Sequence, residues 1–96
     1  MIKVKVRKDV IRVSGHAGYA PLGQDIVCSA VSILVQNMVA SIEELSKDKI
    51  EYDLQPGEAW VRYTEELTDV AKTLVDSFFI GICAIADDYP EYVQIV

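Results

Sequence analysis

The sequence is poor in the residues that build metal and redox centres. It has one histidine, His16, and two cysteines, Cys28 and Cys83, far apart in the chain. A metal site needs three or four converging ligands, which so small a set does not supply, so neither a metal nor another cofactor is expected. The glycines match no dinucleotide fingerprint, and Gly15-His16-Ala17-Gly18 lacks the Lys-Ser/Thr pair of a Walker loop. Long apolar runs are missing too. The longest stretch without a formal charge, Ile26–Ile42, contains Ser29, Ser32, Gln36, Asn37 and Ser41, too polar and too short for a membrane span. The first residues, Met1–Lys8, alternate charge with apolar side chains and show no signal core. Secretion is therefore not expected. A cytoplasmic location is, and there the two cysteines should be free thiols. No repeat or Gly/Ser linker divides the 96 residues, which suit a single domain, 1–96.

What the chain does have is globular composition, 51% hydrophobic and 25% charged, with an uneven net charge of −6. Residues 1–19 carry five basic groups (Lys3, Lys5, Arg7, Lys8, Arg12) against one acid, Asp9, whereas residues 20–96 carry four basic groups against fourteen acids. An acidic body argues against a protein that chiefly binds nucleic acid, since phosphate contacts need clustered Lys and Arg. It is compatible with a basic protein or peptide as partner.

Ile2, Val4 and Val6 alternate with Lys3, Lys5 and Arg7, the period of a half-buried strand. Lys8-Asp9 suits a tight turn and Val10–Ser14 the returning strand. Gly15–Gln24, with three glycines and Pro21, reads as a loop. From Ile26 to about Leu45, apolar residues at spacings of three and four predict a helix, with Asp25 as its N-cap. A second hairpin follows, Ile50–Leu54 and Ala59–Tyr63 around the Gln55-Pro56-Gly57-Glu58 turn. A second helix is predicted from Glu65 to about Asp88. Its later half, Phe78–Ile85, is apolar nearly all round, so it is either buried on more than one side or part of a subunit interface. Tyr92–Ile95 suits a short last strand. The expected fold class is α+β, order ββαββαβ: a largely antiparallel sheet of two hairpins and a short C-terminal strand, with two long helices packed on it.

Two side chains could carry chemistry. With Asp25 as cap, Cys28 falls at the third helical position, where unpaired N–H groups and the helix dipole favour a thiolate. His16 lies in the loop feeding that helix and could fold back as its base. The alternative is an inert helix cysteine, the commoner case for a residue so often buried. Cys83, in the apolar second helix, reads as core.

At these positions a resemblance enters. Gly15-His16-Ala17, five further residues, then Gly23-Gln24-Asp25-Ile26-Val27-Cys28-Ser29-Ala30-Val31-Ser32 resembles the signature of the bacterial ribosomal-processing cysteine protease (Prp, YsxB-like) family. The likeness extends more loosely over the whole chain, including the ending Asp88-Tyr89-Pro90-Glu91-Tyr92-Val93. It implies an endopeptidase that removes the N-terminal extension of a large-subunit bacterial ribosomal protein, with Cys28 as nucleophile and His16 as catalytic histidine. It also implies a homodimer.

On that reading His16 takes the thiol proton, Cys28 forms an acyl-enzyme, and backbone N–H groups near Cys28 hold the oxyanion. Asp25 either caps the helix or orients His16. Ser32, one turn beyond Cys28, either hydrogen-bonds near the site or back-bonds to its helix. Gly15 and Gly23 are the expected hinges of a Gly18–Leu22 flap. Tyr19 and Leu22 either line a pocket for apolar substrate side chains or pack on the sheet. Two rivals remain: a non-catalytic ribosome-associated module binding RNA or protein, and acyl transfer to an acceptor other than water.

Overall fold

The computed structural model describes residues 1–96. The elements run β1 (Ile2–Val6), β2 (Val10–Ser14), α1 (Ile26–Leu45), β3 (Ile50–Gln55), β4 (Glu58–Tyr63), α2 (Asp69–Asp88) and β5 (Val93–Ile95). The α+β order ββαββαβ is as expected. The five strands form one sheet in the order β3-β4-β2-β1-β5. Its pairings are antiparallel except β1 with β5, which run parallel.

Register follows the alternation. Val4 faces Val13, and Ile11 faces Val61, so Ile2, Val4, Ile11, Val13, Val61 and Val93 make one buried face. The helices cover that face with Val27, Val31, Val35, Met38 and Ile42 from α1 and Ala71, Phe78 and Ile82 from α2, all in one core. Contrary to the expectation from Ile26–Ile42, the full 20-residue α1 is long and apolar enough to cross a membrane by length and composition alone; here its apolar stripe packs on the sheet. Gly81 lets α2 approach α1 closely, since a Cβ there would sit 2.9 Å from a Leu34 methyl group. Of the apolar half of α2, Phe78 and Ile82 are buried in the core, Phe79, Cys83 and Ile85 are half-buried, and Ile80 and Ala84 are exposed.

The helix-free face carries the basic stripe, with Lys3, Lys5 and Arg12 exposed. Acids meet part of it: Arg12 pairs with Glu58 at 2.6 Å and Arg62 with Glu51 at 3.8 Å, while Arg62 also lies over the Trp60 ring.

The start of α2 differs from the expected Glu65. Thr68 caps the helix, its hydroxyl accepting from Ala71 N–H, and Asp48 fixes that cap by accepting both the N–H and the hydroxyl of Thr68. This contact across 20 residues stops the helix from extending back through Glu65-Glu66.

Tyr63 is an exception to polar satisfaction. Its hydroxyl is buried without a partner, and burial pushes its ionisation well above the ordinary range. A buried, unpaired hydroxyl costs about 1–3 kcal/mol. Tyr63→Phe is therefore expected to stabilise the fold by roughly 1 kcal/mol, read as a higher urea midpoint with an unchanged m-value. A lower midpoint would mean the hydroxyl has a partner.

Candidate active site

The site is built where β2 ends and α1 begins. Gly15 turns the chain out of β2 with φ +93°, and its Cα lies so close to the Met1 backbone that no side chain fits. His16 follows on the surface, its carbonyl accepting from the Met1 ammonium at 2.6 Å. Ala17 then turns inward, 4% exposed, and its N–H donates to Cys28 Sγ at 3.2 Å. The residue next to the histidine is thereby tied directly to the sulfur.

Asp25 organises the other side. Its Oδ1 accepts from the N–H groups of Val27 (3.0 Å) and Cys28 (2.9 Å), and its Oδ2 accepts from Tyr19 N–H at 3.0 Å. The carboxylate is therefore the helix cap and also a tie to the loop. Its oxygens accept chiefly from backbone donors, and His16 is not among its partners. The Cys28 N–H chiefly holds this carboxyl below the usual carboxylate range, against an opposing effect of burial, with the N–H groups of Tyr19 and Ala20 and the Cys28 side chain adding to the lowering.

This has a sign. A carboxyl whose folded pKa is depressed stabilises the fold above its unfolded value, near 3.8, and that contribution is lost as pH falls through the folded value. Asp25→Asn is expected to melt lower than wild type at about pH 5, with the gap closing towards about pH 2. A gap of constant size across that range would show that the charge is not what matters.

His16 and Cys28 open onto one cleft of about 930 Å³. Its α1 wall is Cys28, Ser29, Ser32, Ile33 and Gln36. Ser32 accepts from Gln36 Nε2 at 2.8 Å and does not back-bond to its helix. The opposite wall is the β3–β4 turn, Leu54 to Ala59, and the loop contributes Gly18, Ala20, Leu22 and Gly23. Leu22 is 97% exposed there. Tyr19 is elsewhere: its ring packs edge-on against Tyr89 (5.6 Å) and Tyr92 (5.2 Å), and it is not part of the cleft lining. Of the two expected hinges, Gly15 is pinned, donating its N–H to Gly57 carbonyl at 2.9 Å, while Gly23, at φ +84°, has open space around its Cα.

No local pattern in the sequence marks the hairpin wall or the Ala17 N–H as part of the site. Pro56-Gly57 was readable as a turn, but that this turn faces His16 depends on β4 pairing with β2 and not with a later strand. Among the backbone N–H groups near Cys28, those at the start of α1 are already engaged. Val27 and Cys28 N–H groups already serve Asp25, and Ser29 N–H serves the Asp25 carbonyl.

The family model described as cysteine protease Prp matches residues 1–94. The chain belongs to the cysteine protease Prp family. The Prp ribosomal processing cysteine protease of Mycoplasma genitalium is 33% identical over 98 residues, 99% of this chain and 94% of that protein. The Staphylococcus aureus Prp is 28% identical over 89 residues, 91% of this chain and 83% of that protein. A crystal structure of an essential ribosomal processing protease Prp from S. aureus, with a covalently linked product peptide, has the same fold: TM-score 0.88, 20% identity, covering 98% of this chain and 94% of that one. A Streptococcus mutans protein overlays with TM-score 0.71 at 29% identity, covering 98% and 89%. As a member of the Prp family the chain is a cysteine protease, which sets aside the reading as a non-catalytic binding module.

Proposed function

We propose that this Prp-family protease removes the N-terminal extension of a large-subunit bacterial ribosomal protein in the cytoplasm, with Cys28 as nucleophile and His16 as its base. The observation that carries the reading is the Ala17 N–H bond to Cys28 Sγ, at a cleft which His16 also lines. It ties the histidine loop to the sulfur while leaving both side chains open to a peptide.

His16 takes the proton of the Cys28 thiol, and the sulfur attacks the scissile carbonyl carbon. Catalytic hydrogen bonds in a free enzyme are commonly long and tighten in the complex, which fits a ring that here bonds to nothing. With the α1 donors engaged by Asp25, the Ala17 N–H is the donor placed to pass from sulfur to the oxyanion as the C–S bond forms. The C–N bond then breaks, the imidazolium protonates the leaving amine, and water releases the acyl group.

The long cleft and the exposed Leu22 and Ile33 on it suit an extended substrate with apolar side chains. The acidic body suits a basic ribosomal protein, an attraction screened beyond about 8 Å at physiological salt. The homodimer belongs to the same proposal, with exposed Ile80 on α2 as its apolar contact. The test is incubation with peptides spanning the host's ribosomal-protein extension, read by mass spectrometry. Cleavage into two fragments at one peptide bond supports the substrate class. Intact peptide with wild-type protein contradicts it, and an acyl group captured by an added amine instead of water would point to transfer.

A further inference from the structure

We infer that Gly57, at the tip of the β3–β4 hairpin, is a positioning residue that fixes where the His16 imidazole stands relative to Cys28. The inference rests on the reading of His16 as the base of Cys28.

The imidazole has no hydrogen-bond partner to orient it; the hydrogen bond His16 makes is through its carbonyl. What the ring has instead is a surface. A Cβ on Gly57 would lie 2.6 Å from His16 Nε2, 3.0 Å from Cε1 and 3.4 Å from Cδ2. Carbon atoms do not approach a ring so closely, so the imidazole occupies the volume that any side chain at position 57 would claim. Gly57 also has φ +79°, a left-handed backbone that glycine adopts without steric cost. The turn and the ring thus impose separate demands on one residue.

The turn that presents Gly57 is fixed to the strand that presents His16. Gly15 N–H donates to Gly57 carbonyl at 2.9 Å, Ser14 is in register with Glu58, and Arg12 pairs with Glu58 at 2.6 Å. These links join the last residues of β2 to the hairpin tip, immediately before His16. The histidine backbone and the Gly57 surface therefore move as one body. An exposed ring otherwise changes rotamer on a picosecond to nanosecond timescale. A catalytic group displaced by about 1 Å loses about 100-fold in rate. A wall that excludes the wrong rotamers does for His16 what a third polar residue does in other cysteine and serine hydrolases.

The test uses the full chain carrying Cys83→Ala, so that Cys28 is the one thiol. The rate of Cys28 alkylation by iodoacetamide is followed against pH, together with peptide cleavage, for the parent, His16→Ala, Gly57→Ala and Gly57→Asn. In the Gly57 variants the alkylation profile is expected to move onto that of His16→Ala, and kcat to fall about 100-fold with KM changed by no more than about twofold. Asparagine tolerates the left-handed backbone better than alanine, so Gly57→Asn carries the test if Gly57→Ala does not fold. A folded Gly57 variant that keeps the parent profile overturns the inference and leaves the role of His16 standing. A His16→Ala profile identical to the parent's overturns that role, and the inference with it.

Discussion

Replacing Cys28 by alanine is expected to remove peptide cleavage altogether, a loss in kcat of at least about 10⁴-fold. The expectation rests on placement. Cys28 is at the third position of α1, its sulfur receives the Ala17 N–H, and it faces the cleft. The other nucleophilic side chains of the cleft, Ser29 and Ser32, have no base in hydrogen-bond contact; Ser32 is bonded to the Gln36 amide. Cys83 lies in α2 and is not part of the cleft wall. The fold should survive. Cys28 is half-buried at the edge of the core, and alanine is itself a good helix former. Circular dichroism should be unchanged while mass spectrometry finds only intact peptide. Cleavage at the parental rate in Cys28→Ala would assign the chemistry to another group.

His16→Ala should lower kcat by about 10²–10⁴-fold, the usual worth of a positioned general acid–base. The imidazole is exposed and bonded to no other side chain, so its loss should leave the melting temperature within a few degrees of wild type. The two losses should not add. A base has nothing to activate once the sulfur is gone, so the double variant Cys28→Ala/His16→Ala is expected to match Cys28→Ala alone. Residual cleavage in Cys28→Ala that falls further in the double variant would mean that the two residues act independently, which the shared cleft and the Ala17 link argue against.

Much of this was readable in the chain because local periods agree with the tertiary contacts. The alternation of Ile2–Val6 and the three-four spacing of α1 mark faces that the core then buries. Asp25 before an apolar run is a cap in sequence and in structure. What was not readable depended on contacts between distant segments. The parallel pairing of β1 with β5 leaves no local pattern in three residues, Val93–Ile95. Glu65-Glu66 looks like the acidic first turn of a helix, and only the Asp48–Thr68 contact moves the start to Asp69. Tyr19 looks like a residue for an apolar pocket, and only the approach of Tyr89 and Tyr92 shows what holds it. In the site itself, the histidine, the cysteine and the cap lie within one short stretch and could be picked out together. The opposite wall came from a hairpin some 30 residues further on, whose glycine was explained fully, in sequence terms, by its turn.

The central claim is that the sulfur of Cys28 becomes bonded to the acyl half of the substrate. Acid quench of wild-type protein shortly after mixing with the ribosomal-protein peptide, followed by intact-mass and fragment analysis, tests it most directly. The expected result is a protein heavier by the N-terminal fragment less one water, with the added mass on Cys28, and its disappearance as that fragment is released. Cleavage with no adduct in Cys28 at any quench time, or an adduct that maps to Cys83, would contradict the account.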